Sequence, residues 1–141
     1  MDTMGRGLIA GFLATLALSI LIDPVAVLVR TAWPACSSLS GWLFHFFVGT
    51  VVWGVGFGFA HDHLRGPSWM RGSIFGCGAW VLMVAGLTSG MFGIRIGLTA
   101  SAVTLVLHLV YGAMLGGIYG VLRGTPPSEA SHDQDMQPLT H

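Results

Sequence analysis

Ile96-Gly-Leu-Thr-Ala-Ser-Ala-Val-Thr-Leu-Val-Leu-His108-Leu-Val-Tyr-Gly112-Ala-Met-Leu-Gly116-Gly-Ile-Tyr-Gly120-Val-Leu122 runs from Arg95 to Arg123 without a formal charge. A helix rises 1.5 Å per residue, so a run of this length crosses the roughly 30 Å hydrocarbon core of a bilayer. Three further stretches, 7 to 22, 31 to 61 and 72 to 94, are equally free of Asp, Glu and Arg, and the chain has no lysine. Hydrophobic residues make up 53% and charged residues 9%. An ordinary soluble domain carries about 25% charge, so the composition predicts a membrane protein. We read an all-α bundle of four transmembrane helices at 5–22, 40–60, 72–90 and 98–122, forming a domain over 1–123.

The first span resembles a signal peptide, with Arg6 ahead of an apolar core and Ala17-Leu-Ser19 as a small-x-small site. Apolar residues continue to Ile22, which predicts an uncleaved helix. Asp23-Pro24 reads as its stop, because proline gives up a helical N–H and clashes with the preceding turn. Residues 124–141 are polar and proline-bearing and predict a disordered cytoplasmic tail. Cys36 falls in an outer loop and Cys77 at the other end of the third helix, so the two are not expected to pair.

Orientation follows from the arginines. Arg6, Arg65, Arg71 and Arg123 flank one side and Arg30 and Arg95 the other, which by the positive-inside rule puts both termini in the cytoplasm of a bacterial inner membrane. Trp33 and Trp42 then sit at the outer interface and Trp69 at the inner one. Net charge is zero with histidine neutral, and no basic run offers a footprint for nucleic acid.

An internal repeat organises the spans. At an offset of 65, Arg6, Gly7, Ile9, Gly11, Ala14 and Arg30 match Arg71, Gly72, Ile74, Gly76, Ala79 and Arg95. Near that offset, His45-Phe-Phe-Val-Gly49-Thr-Val-Val-Trp-Gly54 parallels His108-Leu-Val-Tyr-Gly112-Ala-Met-Leu-Gly-Gly117. The pattern predicts a tandemly duplicated two-helix hairpin, with repeats at 6–66 and 71–124, related by a twofold axis along the membrane normal. Glycines four apart recur on every span: Gly7 and Gly11, Gly41 and Gly49 around His45, Gly54 and Gly58, Gly72 and Gly76, and Gly112, Gly116 and Gly120 below Thr104 and His108. Small residues at that spacing let backbones approach where lipid removes the hydrophobic drive, and they are also the surface through which other transmembrane helices could be met.

His45 and His108 are the intramembrane ionisable groups, a costly feature that points to a paired site. Three chemistries fit. Neutral imidazoles can hydrogen-bond across the bundle to Ser101, Thr104 or Tyr111. They can ligate haem b iron from two symmetry-related helices, with Gly49 and Gly112 one turn below leaving room for the ring and Trp42, Phe44, Phe46 and Phe47 around it. Or they can line a path for protons or a small solute. His61-Asp62-His63 reads as solvated loop polarity. No nucleophile elbow, metalloprotease helix, phosphate loop or intramembrane carboxylate pair is present, so an enzyme is not expected.

The Arg-Gly-x-Ile-x-Gly openings, Gly41-Trp-Leu-Phe-His45-Phe-Phe-Val-Gly49 and His108-Leu-Val-Tyr-Gly112 resemble a family of small bacterial and archaeal four-helix membrane proteins of unknown function. The resemblance spans residues 4–123 and implies four spans without implying an activity or ligand. The reading that results is a non-enzymatic accessory or structural subunit of a membrane complex or homo-oligomer, with a b-type haem electron carrier as the alternative. The arginine asymmetry generates one prediction directly: a reporter fused behind residue 141 reports cytoplasm and one in the loop at Arg95 reports the exterior, whereas an external C-terminus reverses the orientation.

Overall fold

The structure, a computed structural model, describes residues 1–28, 38–88 and 97–124. Four helices account for nearly all of them. Helix α1 is Thr3–Leu28 and α2 begins at Leu39; α3 is Ser68–Thr88 and α4 is Leu98–Arg123. Among the described residues three stretches are long and apolar enough to cross a membrane: Thr3–Ile22, Leu39–His63 and Leu98–Arg123. The fourth expected span, α3, is a helix of 21 residues. Arg30, Trp33, Cys36, Ser89, Arg95 and the tail from 125 lie outside the described residues.

The expected stop at Asp23-Pro24 is not where α1 ends, because the helix runs on to Leu28 with Pro24 inside it. A proline this close to a helix end removes one ladder hydrogen bond while only one further turn follows, and apolar spans tolerate it.

Glycine contacts decide how the helices pair. Gly7 and Gly11 of α1 lie against the backbone of Gly54, and Gly11 also against the carbonyls of Gly49 and Thr50. Gly72 and Gly76 of α3 lie in the same way against Gly112, Gly116 and the His108 carbonyl of α4. In both pairs a Cβ would run into opposing main chain, which only a backbone shift could relieve. The hairpins join through α1 and α4, around a buried cluster of Ala10, Ala14, Leu18, Phe57, Tyr111, Leu115 and Tyr119.

Helix α2 departs from α-helical winding. It is α-helical over Leu39–Phe47, a π-helix over Val48–Val55 and α-helical again over Gly56–Ala60, closing in a 3-10 turn at His61–His63. The glycine spacing explains the widened turns. Gly49 and Gly54 are five residues apart, which places them roughly 140° apart on an α-helix, yet both are buried toward α1. Widening the turn returns the fifth residue to the same face. On α4 the glycines that meet α3 are four apart and the helix stays regular. The partner of Gly54 in this role is therefore Gly116, while Gly117, its match by spacing from histidine, has open space around it.

The expected contact of glycine faces with other proteins is thus corrected for these positions, since their own hairpin partners fill them. Gly72→Ala is predicted to destabilise the bundle by about 1–3 kcal/mol through overpacking, while Gly117→Ala is neutral or stabilising by up to about 1 kcal/mol from helix propensity. Unfolding in mixed detergent micelles, followed by circular dichroism, measures both.

Candidate functional site

His45 and His108 sit partly buried on different hairpins. His45 Nε2 lies 3.2 Å from Ser19 Oγ of α1, and Ser19 itself donates to the Thr15 carbonyl at 2.7 Å. Trp42 and Phe46 meet the imidazole edge-on, with ring centroids 5.7 Å away in each case. His108 Nδ1 lies 2.7 Å from the Thr104 carbonyl one turn above it on α4. A carbonyl can only accept, so Nδ1 carries the proton and, in the neutral ring, Nε2 keeps its lone pair. The Thr104 hydroxyl is tied down in turn by Trp80 of α3, whose Nε1 donates to it at 3.1 Å and to the Ser101 carbonyl at 3.2 Å.

Among the described residues the two histidines therefore have no hydrogen-bond partner in common. The third residue named as a partner, Tyr111, donates instead to the Gly49 carbonyl at 2.6 Å, tying the π-helical stretch of α2 to α4. Space one turn below each histidine is occupied: Thr15 packs on Gly49, and the Gly72 and Ser73 backbone packs on Gly112.

The opposite end of the bundle holds a more connected group. His61 reads in sequence as solvated loop polarity, and the structure corrects this: it is 4% exposed. The 3-10 turn that closes α2 points the ring inward, where it packs on Tyr119 at 4.8 Å and Phe57 at 5.5 Å. Its Nε2 lies 2.9 Å from Ser68 Oγ at the start of α3, and Nδ1 lies 2.9 Å from Arg123 Nη1 at the end of α4. A guanidinium only donates, so Nδ1 of the neutral ring accepts from Arg123 and Nε2–H donates to Ser68.

Asp62 Oδ1 is 3.0 Å from the same Nδ1 and pairs with Arg123. Arg71 completes the group, with Nε donating to the Gly66 carbonyl at 2.6 Å and Nη1 to the His61 carbonyl at 3.3 Å. His61, Asp62, Ser68, Arg71, Gly120 and Arg123 border an open groove of about 510 Å³.

In the sequence Arg71 and Arg123 mark the orientation, Arg71 also opens the second repeat, and His61 reads as loop polarity. The usable signal was that His61, Arg71 and Arg123 all stand at the span ends on one side, which a bundle must gather together. Among the described residues no three His, Cys, Asp or Glu side chains form a metal-binding group.

A bundle of four helices, three of them long and apolar enough among the described residues to cross a membrane, with polar groups toward both ends, defines the class of protein. The chain belongs to a family of unknown function, DUF6789, which it matches over residues 1–130. No curated protein and no solved structure matches it.

The two histidine environments generate a contrast. His61→Ala removes the Ser68 and Arg123 hydrogen bonds and the aromatic packing from a buried position and is predicted to cost about 1–3 kcal/mol. His63→Ala removes an exposed ring held only to the Phe59 carbonyl and leaves stability unchanged. Equal unfolding midpoints for the two variants in the same detergent contradict the placement of His61.

Proposed function

We propose that the chain is a non-enzymatic integral component of a bacterial inner membrane, acting as an accessory or structural subunit beside other transmembrane helices, its own or another protein's. The observation that carries this reading is the division of residue types. Glycines hold the hairpins together inside, while large apolar side chains such as Ile20 (71% exposed), Phe44 (65%) and Leu82 (65%) cover the outside. A surface of that kind fits lipid tails and neighbouring helices rather than water.

Within this reading the bundle is a duplicated hairpin, with both termini cytoplasmic. The matching roles of Gly7 and Gly72, and of Gly54 and Gly116, support the duplication. His45 and His108 act as anchors, each satisfied within its own hairpin or helix. Holding α1 to α2 is the role of the Ser19–His45 contact.

Haem b is the second reading, and one observation favours it. His108 Nδ1–H bound to a backbone carbonyl is the arrangement that fixes a ligating imidazole and leaves Nε2 for a metal. His45 would first have to release Ser19. The visible spectrum of the purified chain separates the two. The structural reading predicts a colourless protein that migrates with other helices in native mass spectrometry. A Soret band lost in both His45→Leu and His108→Leu establishes the haem carrier instead.

A further inference from the structure

The groove at the His61 end has features that the structural reading does not use. Two guanidiniums and one carboxylate border it, so with His61 neutral it keeps a net charge of +1. The carboxylate is already committed, since Asp62 pairs with Arg123. Arg71 is bound only by neutral partners: two backbone carbonyls and, at 3.4 Å, His61 Nδ1. Among the described residues no carboxylate pairs with it. Its planar fork carries five donors, and those on Nη2 have no protein acceptor among the described residues.

Ser68 adds a hydroxyl. Because it accepts from His61 Nε2, its own hydrogen is left to donate. Gly120 is what brings Ser68 this close to α4, because a Cβ there would strike the Ser68 side chain. His61, buried behind both, fixes their positions without itself facing water. Arginine forks and hydroxyls set around an open, water-accessible volume match the oxygens of a tetrahedral oxyanion, which a fork can bind in bidentate fashion.

From this we infer that the groove between the start of α3 and the end of α4 binds a phosphate group, with Arg71 as its principal donor, supported by Ser68 and Arg123. The phosphate belongs either to an anionic lipid headgroup or to a free anion; the groove lies beside Trp69, 57% exposed, and Val121, 81% exposed, within reach of a bilayer interface.

The test uses the full chain purified in detergent. Phenylglyoxal modification of each arginine is followed by mass spectrometry with inorganic phosphate, with phosphatidylglycerol in mixed micelles, or with phosphatidylcholine as the zwitterionic control. The inference predicts saturable protection of Arg71, and to a lesser extent Arg123, while exposed Arg65 reacts as before. Protection by inorganic phosphate identifies a free anion as sufficient; protection by phosphatidylglycerol alone identifies the headgroup. In a direct titration, Arg71→Gln weakens binding of the protecting species roughly tenfold or more, as expected for loss of a charged hydrogen-bond donor, and Arg65→Gln leaves it unchanged. Protection by neither probe, equal protection of Arg65, or a folded Arg71→Gln that binds like the parent overturns the site. Because the protection experiment needs no variant, misfolding of Arg71→Gln does not spare the inference.

Discussion

Everything in this bundle depends on two places where backbone meets backbone. Where Gly7 and Gly11 face Gly54, and where Gly72 and Gly76 face Gly112 and Gly116, the helices stand closer than any side chain would permit. In an apolar solvent the hydrophobic effect does not drive such contacts. Dispersion across a close interface and the hydrogen bonds that closeness allows must do so instead. The Tyr111 bond to the Gly49 carbonyl is an example, since a larger residue at 49 would collide with Thr15.

The π-helical stretch of α2 is a consequence of that constraint. Five residues separate the glycines that must share one face, so the helix widens rather than lose a contact. Winding changes of this kind alter everything downstream by one residue. They bring Phe57 against Tyr119 at 5.4 Å and Phe75 at 5.4 Å, and His61 beneath Tyr119. The polar group at that end of the molecule is thus positioned by a glycine spacing two turns away.

Polar residues divide into two kinds of environment. His45 and His108 are held by single short-range partners on neighbouring turns or the adjacent helix. His61 instead joins three helices, through Ser68 of α3, Arg123 of α4 and its own position at the end of α2. The first arrangement stiffens a hairpin. The second couples the hairpins to each other and leaves donors over for something else.

The sequence by itself determined the four helices, with described ends within about four residues except at the close of α1, because uncharged runs such as 96–122 can satisfy their backbone groups in an apolar medium only as helices. Spacing also showed that glycine faces would meet, since a period of four is one stripe on a helix. It did not show which faces. Gly116 and Gly117 are equally legible as letters, and only the paired backbones decided that the first is buried and the second open. Pro24 illustrates the same limit, because a local breaking tendency was overridden by a helix that continues to Leu28. Histidines in an apolar run stood out at once, whereas His61, beside Asp62 and His63, looked like any loop. Its role rests on Ser68, Arg71 and Arg123, which lie 7 to 62 residues away in the chain. Contacts at that separation are created by the packing of α2 and α4 around α3, and no periodicity within a single helix encodes them.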